Sequence, residues 1–170
     1  MKFIKDILNI FYPNVCLCCK NPLTVHEETI CLTCRFDLPI TNFCSEKENL
    51  VEKTFYGRAQ IESGASLFYF FKPSSIQQLI YELKYNGQQQ VGRFAGNWLG
   101  EELILSKRFQ NLDCIIPVPL HKNKLKSRGY NQLTVFGETL SKTLNIPFYE
   151  NILLKTDATK TQTKKLRFDR

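Results

Sequence analysis

The chain has 170 residues, 43% of them hydrophobic, enough for one packed core with a small appendage. No run of 18 apolar residues occurs, which excludes a membrane-spanning helix among the function classes to consider. The formal net charge of +7 is concentrated late, where residues 113–170 hold 11 basic and 5 acidic side chains, and this favours a phosphate-bearing ligand or nucleic acid over a uniformly adhesive surface.

Residues 1–13 open with Lys2 and Lys5, and the spacing of Phe3, Ile4, Ile7, Leu8 and Phe11 predicts an amphipathic helix docked on the domain. Asp6 and Asn9 interrupt the apolar run and no small-residue cleavage site follows. The segment therefore does not read as a secretory signal, and the protein reads as cytoplasmic.

Seven cysteines in a chain without an export signal point to metal or redox chemistry rather than to disulfides. Cys16 and Cys19 make one pair with two residues between them, and Cys31 and Cys34 make a second. Each pair presents two thiolates from a tight turn, and four thiolates suit one tetrahedral Zn2+ with ligands at about 2.3 Å. Cys18 could replace Cys19, and Cys44 or His26 lies near enough in sequence to substitute for one member. A zinc site filled by four protein ligands has no open position for water, so it reads as structural. Residues 1–45 are accordingly read as a helix and a double zinc-ribbon-like finger, 46–58 as a polar connector, and 59–170 as the main domain.

Ala59–Phe71, ended by Lys72-Pro73, reads as a strand. Pro73-Ser74-Ser75 then marks a helix entry with a serine as N-cap, and the helix runs through Ile76, Leu79, Ile80 and Leu83 to the stop at Asn86-Gly87. Near that stop Lys84 suits the helix C-terminus and Tyr85 reads as a packing aromatic. A second helix with Val91, Phe94, Ala95, Trp98, Leu99 and Leu103 on one side is expected to cover a sheet, with Trp98 in the core.

The apolar run Cys114–Val118 has the length of a buried parallel strand, and Pro117 and Pro119 end its ladder because neither donates a backbone N–H. A loop with Lys122, Lys124, Lys126 and Arg128 follows, then Gly129, then a helix on Leu133, Phe136, Leu140 and Leu144. Strand, rigid loop, cationic turn and helix N-terminus in this order form the geometry in which α/β folds hold anions. His121 beside that loop reads as a helper or surface residue rather than a general base. After the turn Asn145-Ile146-Pro147, Ile152–Leu154 reads as a short strand, and residues 156–170 as an exposed mobile loop.

Ile116-Pro117-Val118-Pro119-Leu120-His121 followed by Arg128-Gly129-Tyr130-Asn131-Gln132 resembles the ComF family, a phosphoribosyltransferase-like group associated with DNA uptake during natural competence. Lys84-Tyr85-Asn86-Gly87 resembles the family's Leu-Lys-Tyr-x-Gly signature, and a four-cysteine N-terminal finger is typical of it. The resemblance implies a type I phosphoribosyltransferase-like α/β fold, a parallel sheet with flanking helices. It implies that Pro117, Val118, Pro119, His121, Arg128, Gly129, Asn131 and Gln132 receive pyrophosphate, and that Thr159, Gln162, Arg167 and Arg170 belong to a hood over the active site. Enzymes of this class also hold phosphoribosyl pyrophosphate through an acidic pair at a strand end and a Thr-Thr-Gly-Thr-like loop. Here Glu138, Glu150, Asp157 and Asp169 are isolated and no glycine follows Gly137. The chain therefore reads as a truncated member or fragment, its sheet incomplete at the C-terminus, inactive as a transferase by itself. The implied cofactors are structural Zn2+, with Mg2+ only in a complete active site. The implied partners are phosphoribosyl pyrophosphate or another phosphate-bearing ligand, single-stranded DNA and proteins of the DNA-uptake machinery. The competing class is a non-enzymatic nucleic-acid-binding or adaptor module built on the finger and the basic tail.

Overall fold

The computed structural model describes residues 13–157, so the expected N-terminal helix and the hood residues Thr159, Gln162, Arg167 and Arg170 lie outside the described residues. Among the described residues the regular elements are helices: α1 (Leu32–Phe36), α2 (Leu50–Phe55), α3 (Ser75–Tyr85), α4 (Gln90–Leu105), α5 (Lys122–Arg128) and α6 (Thr134–Leu144). None of them is long and apolar enough to cross a membrane.

The helix ends follow the local chemistry. Ser74 caps α3 by accepting from the Gln77 N–H at 3.2 Å, and Gly87 leaves the helix with φ +70°. The segment 46–58 contains α2, whose cap Asn49 is fully buried. Its Oδ1 accepts from Val51 and Glu52, and its Nδ2 donates to the carbonyls of Glu46 and Gly64 at 2.9 and 2.7 Å. Beside it, the Arg108 guanidinium pairs with the Glu52 carboxylate, both largely buried, and binds the Phe43 and Glu46 carbonyls. The basic stretch after His121 is also helical, as α5, because His121 caps its start and Gly129, with φ +82°, ends it.

The expected α/β architecture with a parallel sheet is overturned. Among the described residues strand pairing is confined to three isolated bridges: Val15 with Pro22, Ile40 with Phe68, and Ile115 with Phe148. The run Cys114–Val118 has one parallel pairing, with Ile115 bonded to Pro147 and Tyr149 at 2.8 and 2.9 Å, and Pro117 and Pro119 remove the donors that would extend it. Ala59–Phe71 meets a partner only around Phe68, and Ile152–Leu154 has none and is 50–81% exposed. The helices therefore cover one another instead of a sheet.

Their closest approach is between α4 and α6. Gly92, Gly96 and Gly100 recur every fourth residue on α4, and a Cβ at Gly96 would stand 2.9 Å from the Phe136 carbonyl oxygen and 2.9 Å from the Thr139 Cβ. Leu103, Leu140 and Cys44 form the core of this half, with Ile115 and Phe136 at its edge. The other core joins Cys16, Leu17, Ile30 and Leu38 of the finger to Ile76 and Leu79 of α3 and Val91 of α4. Trp98 packs edge-on against Phe68 and Phe94 at 5.5 and 5.7 Å, in keeping with a core role.

Candidate metal centre and anion loop

The first cysteine knuckle is a tight backbone loop. The Cys16 N–H donates to the Asn21 carbonyl at 2.8 Å, the Lys20 N–H returns to the Cys16 carbonyl at 2.9 Å, and Lys20 itself has φ +65°. The second knuckle is the start of α1, where Cys31 is the N-cap and its sulfur accepts from the Cys34 N–H at 3.5 Å. The Leu17 N–H bonded to the Thr29 carbonyl at 3.0 Å brings the two together.

As a result the Sγ atoms of Cys16, Cys19, Cys31 and Cys34 all lie within 4.8 Å of one another, and the Cys19–Cys31 pair is 3.7 Å apart. A tetrahedral ion with Zn–S bonds of about 2.3 Å sets neighbouring sulfurs about 3.8 Å apart, so the cluster can hold a metal ion. All seven cysteines among the described residues are free thiols. Cys18 points away, its sulfur 3.9 Å from the Ser75 carbonyl oxygen, and Cys44 is buried in the other core. His26 lines a groove between finger and α4, outside the cluster.

The electrostatics of the cluster favour a cation. Burial opposes ionisation of Cys16, yet the backbone N–H groups of Cys19, Cys31 and Cys18 outweigh it and bring the thiol down to about 6. Burial and the sulfurs of Cys31, Cys19 and Cys16 hold the Cys34 proton well above the usual range. At Cys31 the Cys34 N–H favours the thiolate, but burial and the neighbouring sulfurs of Cys19 and Cys16 outweigh it and raise the thiol. One thiolate forms readily, while burial and the neighbouring sulfurs keep protons on the next, protons that a divalent ion would displace. Cys18, outside the cluster, is pushed up to about 12, chiefly by burial.

The finger is tied to α3 by one buried group. Glu82, 5% exposed, accepts from Lys20 of the first knuckle, from Gln78 at 2.9 Å and from Asn86 at 2.8 Å. Burial raises its carboxyl, but Lys20, Asn86 and Gln78 together hold it below the ordinary value.

The expected anion loop lies at the same, C-terminal end of α3, where the Tyr130 hydroxyl meets the Leu83 carbonyl. Pro117 is buried, Val118 is 70% exposed, and Pro119, His121 and Asn131 line a groove of about 760 Å³. His121 Nδ1 accepts from the Asn123 N–H at 3.2 Å, which occupies it as a helix cap. Asn131 is buried with Oδ1 on the Leu133 N–H at 3.1 Å, and the Gln132 side chain accepts from Arg128. Of the eight expected residues, then, Asn131 and Gln132 mainly shape the turn, Gly129 ends α5, and Arg128 retains donors to spare.

Sequence reasoning missed Lys84 and Tyr85 as members of this place. The Arg128 guanidinium carbon lies 5.8 Å from the Tyr85 ring centroid, and the Tyr130 hydroxyl donates to the Leu83 carbonyl. Burial, then the positive charges of Arg128 and Lys124, lower the Lys84 ammonium. None of the three forms an ion pair among the described residues. The available signal was the pairing of a Lys-Tyr at one helix end with Arg-Gly-Tyr at another.

No protein-family model and no solved structure matches the chain. A curated protein does: Competence protein F of Haemophilus influenzae is 27% identical over 162 residues, covering 89% of this chain and 70% of that protein. The ComF resemblance read from the two motifs thus has a curated counterpart along most of the chain, and the four-cysteine cluster fits a zinc finger.

Proposed function

We propose, proceeding from that kinship with a competence protein, that the chain has a competence-related role in which it holds a phosphate-bearing ligand on Lys84, Lys124 and Arg128. The observation that supports this most is that the charges of Arg128 and Lys124 act on Lys84 while none of the three forms an ion pair among the described residues, so like charges there lack compensation until an anion arrives. Arg128 offers a planar fork that matches two phosphate oxygens, and the lysines supply mobile point charges. Phosphoribosyl pyrophosphate is the ligand the ComF resemblance suggests. The groove beside His121 and Pro119 gives the rest of such a molecule a place.

Cys16, Cys19, Cys31 and Cys34 would hold Zn2+, whose charge lets four thiolates coexist and so fixes the two knuckles. The finger contributes to stability rather than to chemistry, because every position on such an ion is filled by sulfur. We place the protein in the cytoplasm.

These 170 residues are assigned no transferase turnover. They contain no acidic pair after Gln132 and no glycine after Gly137, and without such groups the ribose phosphate loses the positioning on which transfer depends.

Calorimetry of the zinc-loaded protein with pyrophosphate and with phosphoribosyl pyrophosphate tests the reading. Arg128→Ala and Lys84→Met should each weaken binding about tenfold or more, as loss of a charge-assisted contact does. Affinity unchanged in both variants would refute the site. An assay of pyrophosphate release with a panel of bases should stay at the no-protein blank.

A further inference from the structure

Lys20 belongs to the first cysteine knuckle by its backbone and to α3 by its side chain. It follows Cys19 directly, its N–H donates to the Cys16 carbonyl at 2.9 Å, and its ammonium reaches the Glu82 carboxylate. Gln78, Glu82 and Asn86 recur every fourth residue and so share one face of α3 and its cap. On that face the Glu82 carboxylate also holds the Gln78 and Asn86 side chains at 2.9 and 2.8 Å, while its carbonyl accepts from the Asn86 and Gln88 N–H groups at 3.1 and 3.2 Å. One buried residue thus closes the end of the helix, and Lys20 supplies its counter-charge.

Lys84 stands two positions further on, about 200° around the axis, on the opposite side of the helix from Glu82. Between them Leu83 gives its carbonyl to the Tyr130 hydroxyl. The turn that holds Lys84 within the field of Arg128 and Lys124 is therefore fixed by the finger on one side and by Tyr130 on the other. Without Lys20 the Glu82 carboxylate would be a buried charge lacking a counter-ion. Such a group draws in water or takes up a proton, and either change loosens its hold on Asn86. We infer that Lys20 is a positioning residue for the anion site, carrying the geometry of the metal-binding finger through Glu82 to the turn that bears Lys84. The inference rests on the reading of Lys84, Lys124 and Arg128 as a phosphate site, and it adds the means by which that site depends on the finger.

Calorimetry with pyrophosphate and amide hydrogen exchange test it on the zinc-loaded chain, for wild type, Lys20→Met and Lys20→Arg. The Lys20 side chain is 49% exposed, so the methionine variant should fold and keep its zinc. It should bind pyrophosphate about 3- to 30-fold more weakly and exchange the Asn86 and Gln88 amides faster than wild type, while Lys20→Arg stays within about twofold in affinity. Lys20→Gln, which keeps a donor and loses the charge, should fall between the two. Weaker binding with unchanged amide exchange would reduce Lys20 to a distant charge, and unchanged affinity in Lys20→Met would leave the phosphate site standing by itself; either result overturns the positioning role. A wild type that does not bind pyrophosphate would overturn the phosphate site and the positioning role together.

Discussion

A methyl group added at Gly96 should destabilise the protein, although alanine is the better helix former by about 0.8–1.0 kcal/mol. The new Cβ would stand 2.9 Å from the Phe136 carbonyl oxygen and 2.9 Å from the Thr139 Cβ. Carbon contacts are comfortable from about 3.5 Å, so α4 and α6 would have to part by about half an ångström. Overpacking costs about 1–3 kcal/mol, and a backbone obstacle, which has no rotamer to change, puts this site in the upper half of that range. After the propensity gain is subtracted the net loss is about 1–2 kcal/mol, or roughly 2–8 °C in melting temperature for a chain of this size. Gly100→Ala is the informative comparison. Its Cβ would stand 2.6 Å from the Thr143 Cγ2, which rotation could move, but also 2.9 Å from the Thr143 Cβ, which rotation could not, so Gly100→Ala should be destabilising as well. Urea and thermal unfolding of both variants with zinc present decide the matter, and a Gly96→Ala protein more stable than wild type would refute the close packing of α4 on α6.

Asn49→Ala should cost roughly 2–3 kcal/mol in urea unfolding, because it removes the α2 cap and leaves the half-buried Gly64 carbonyl without its donor. Acid should destabilise the fold through two carboxylates. Glu52 is held below its ordinary range first by the Gly64 N–H and also by Arg108, and Glu82 is held low by Lys20, Asn86 and Gln78 against burial. A depressed carboxyl contributes stability above the unfolded value of about 4.3 and loses it as pH falls through the folded value. The Glu52→Gln, Glu82→Gln double variant should therefore show a smaller drop in urea midpoint between pH 6 and pH 3.5 than wild type, and an equal drop would count against these networks.

The helices with clear caps were legible in the sequence because their signals are local. Ser74 before α3, Gly87 after it and the apolar spacing of Ile76, Leu79 and Leu83 all act within one turn. The two Cys-x-x-Cys turns were legible for the same reason, since each places its sulfurs by local geometry alone. The sheet was misread because a strand is defined by its neighbour. Cys114–Val118 has the composition of a buried strand, yet only Ile115 finds a backbone partner, and Pro117 and Pro119 block the rest. Gly92, Gly96 and Gly100 passed unnoticed because a residue without a side chain adds nothing to an apolar pattern, while its lack of bulk is what admits α6. Lys84 and Tyr85 were read as ordinary helix-end residues, because the Arg128 that meets them stands more than forty positions away.

The finger should hold its metal with one particular set of sulfurs, those of Cys16, Cys19, Cys31 and Cys34. Metal content by mass spectrometry, measured on wild type, Cys18→Ser and Cys19→Ser purified from zinc-supplemented cells, tests this directly. The predicted result is about one zinc per chain for wild type and for Cys18→Ser, with most of it lost in Cys19→Ser. A folded, metal-free wild type, or zinc lost from Cys18→Ser and kept by Cys19→Ser, would contradict it.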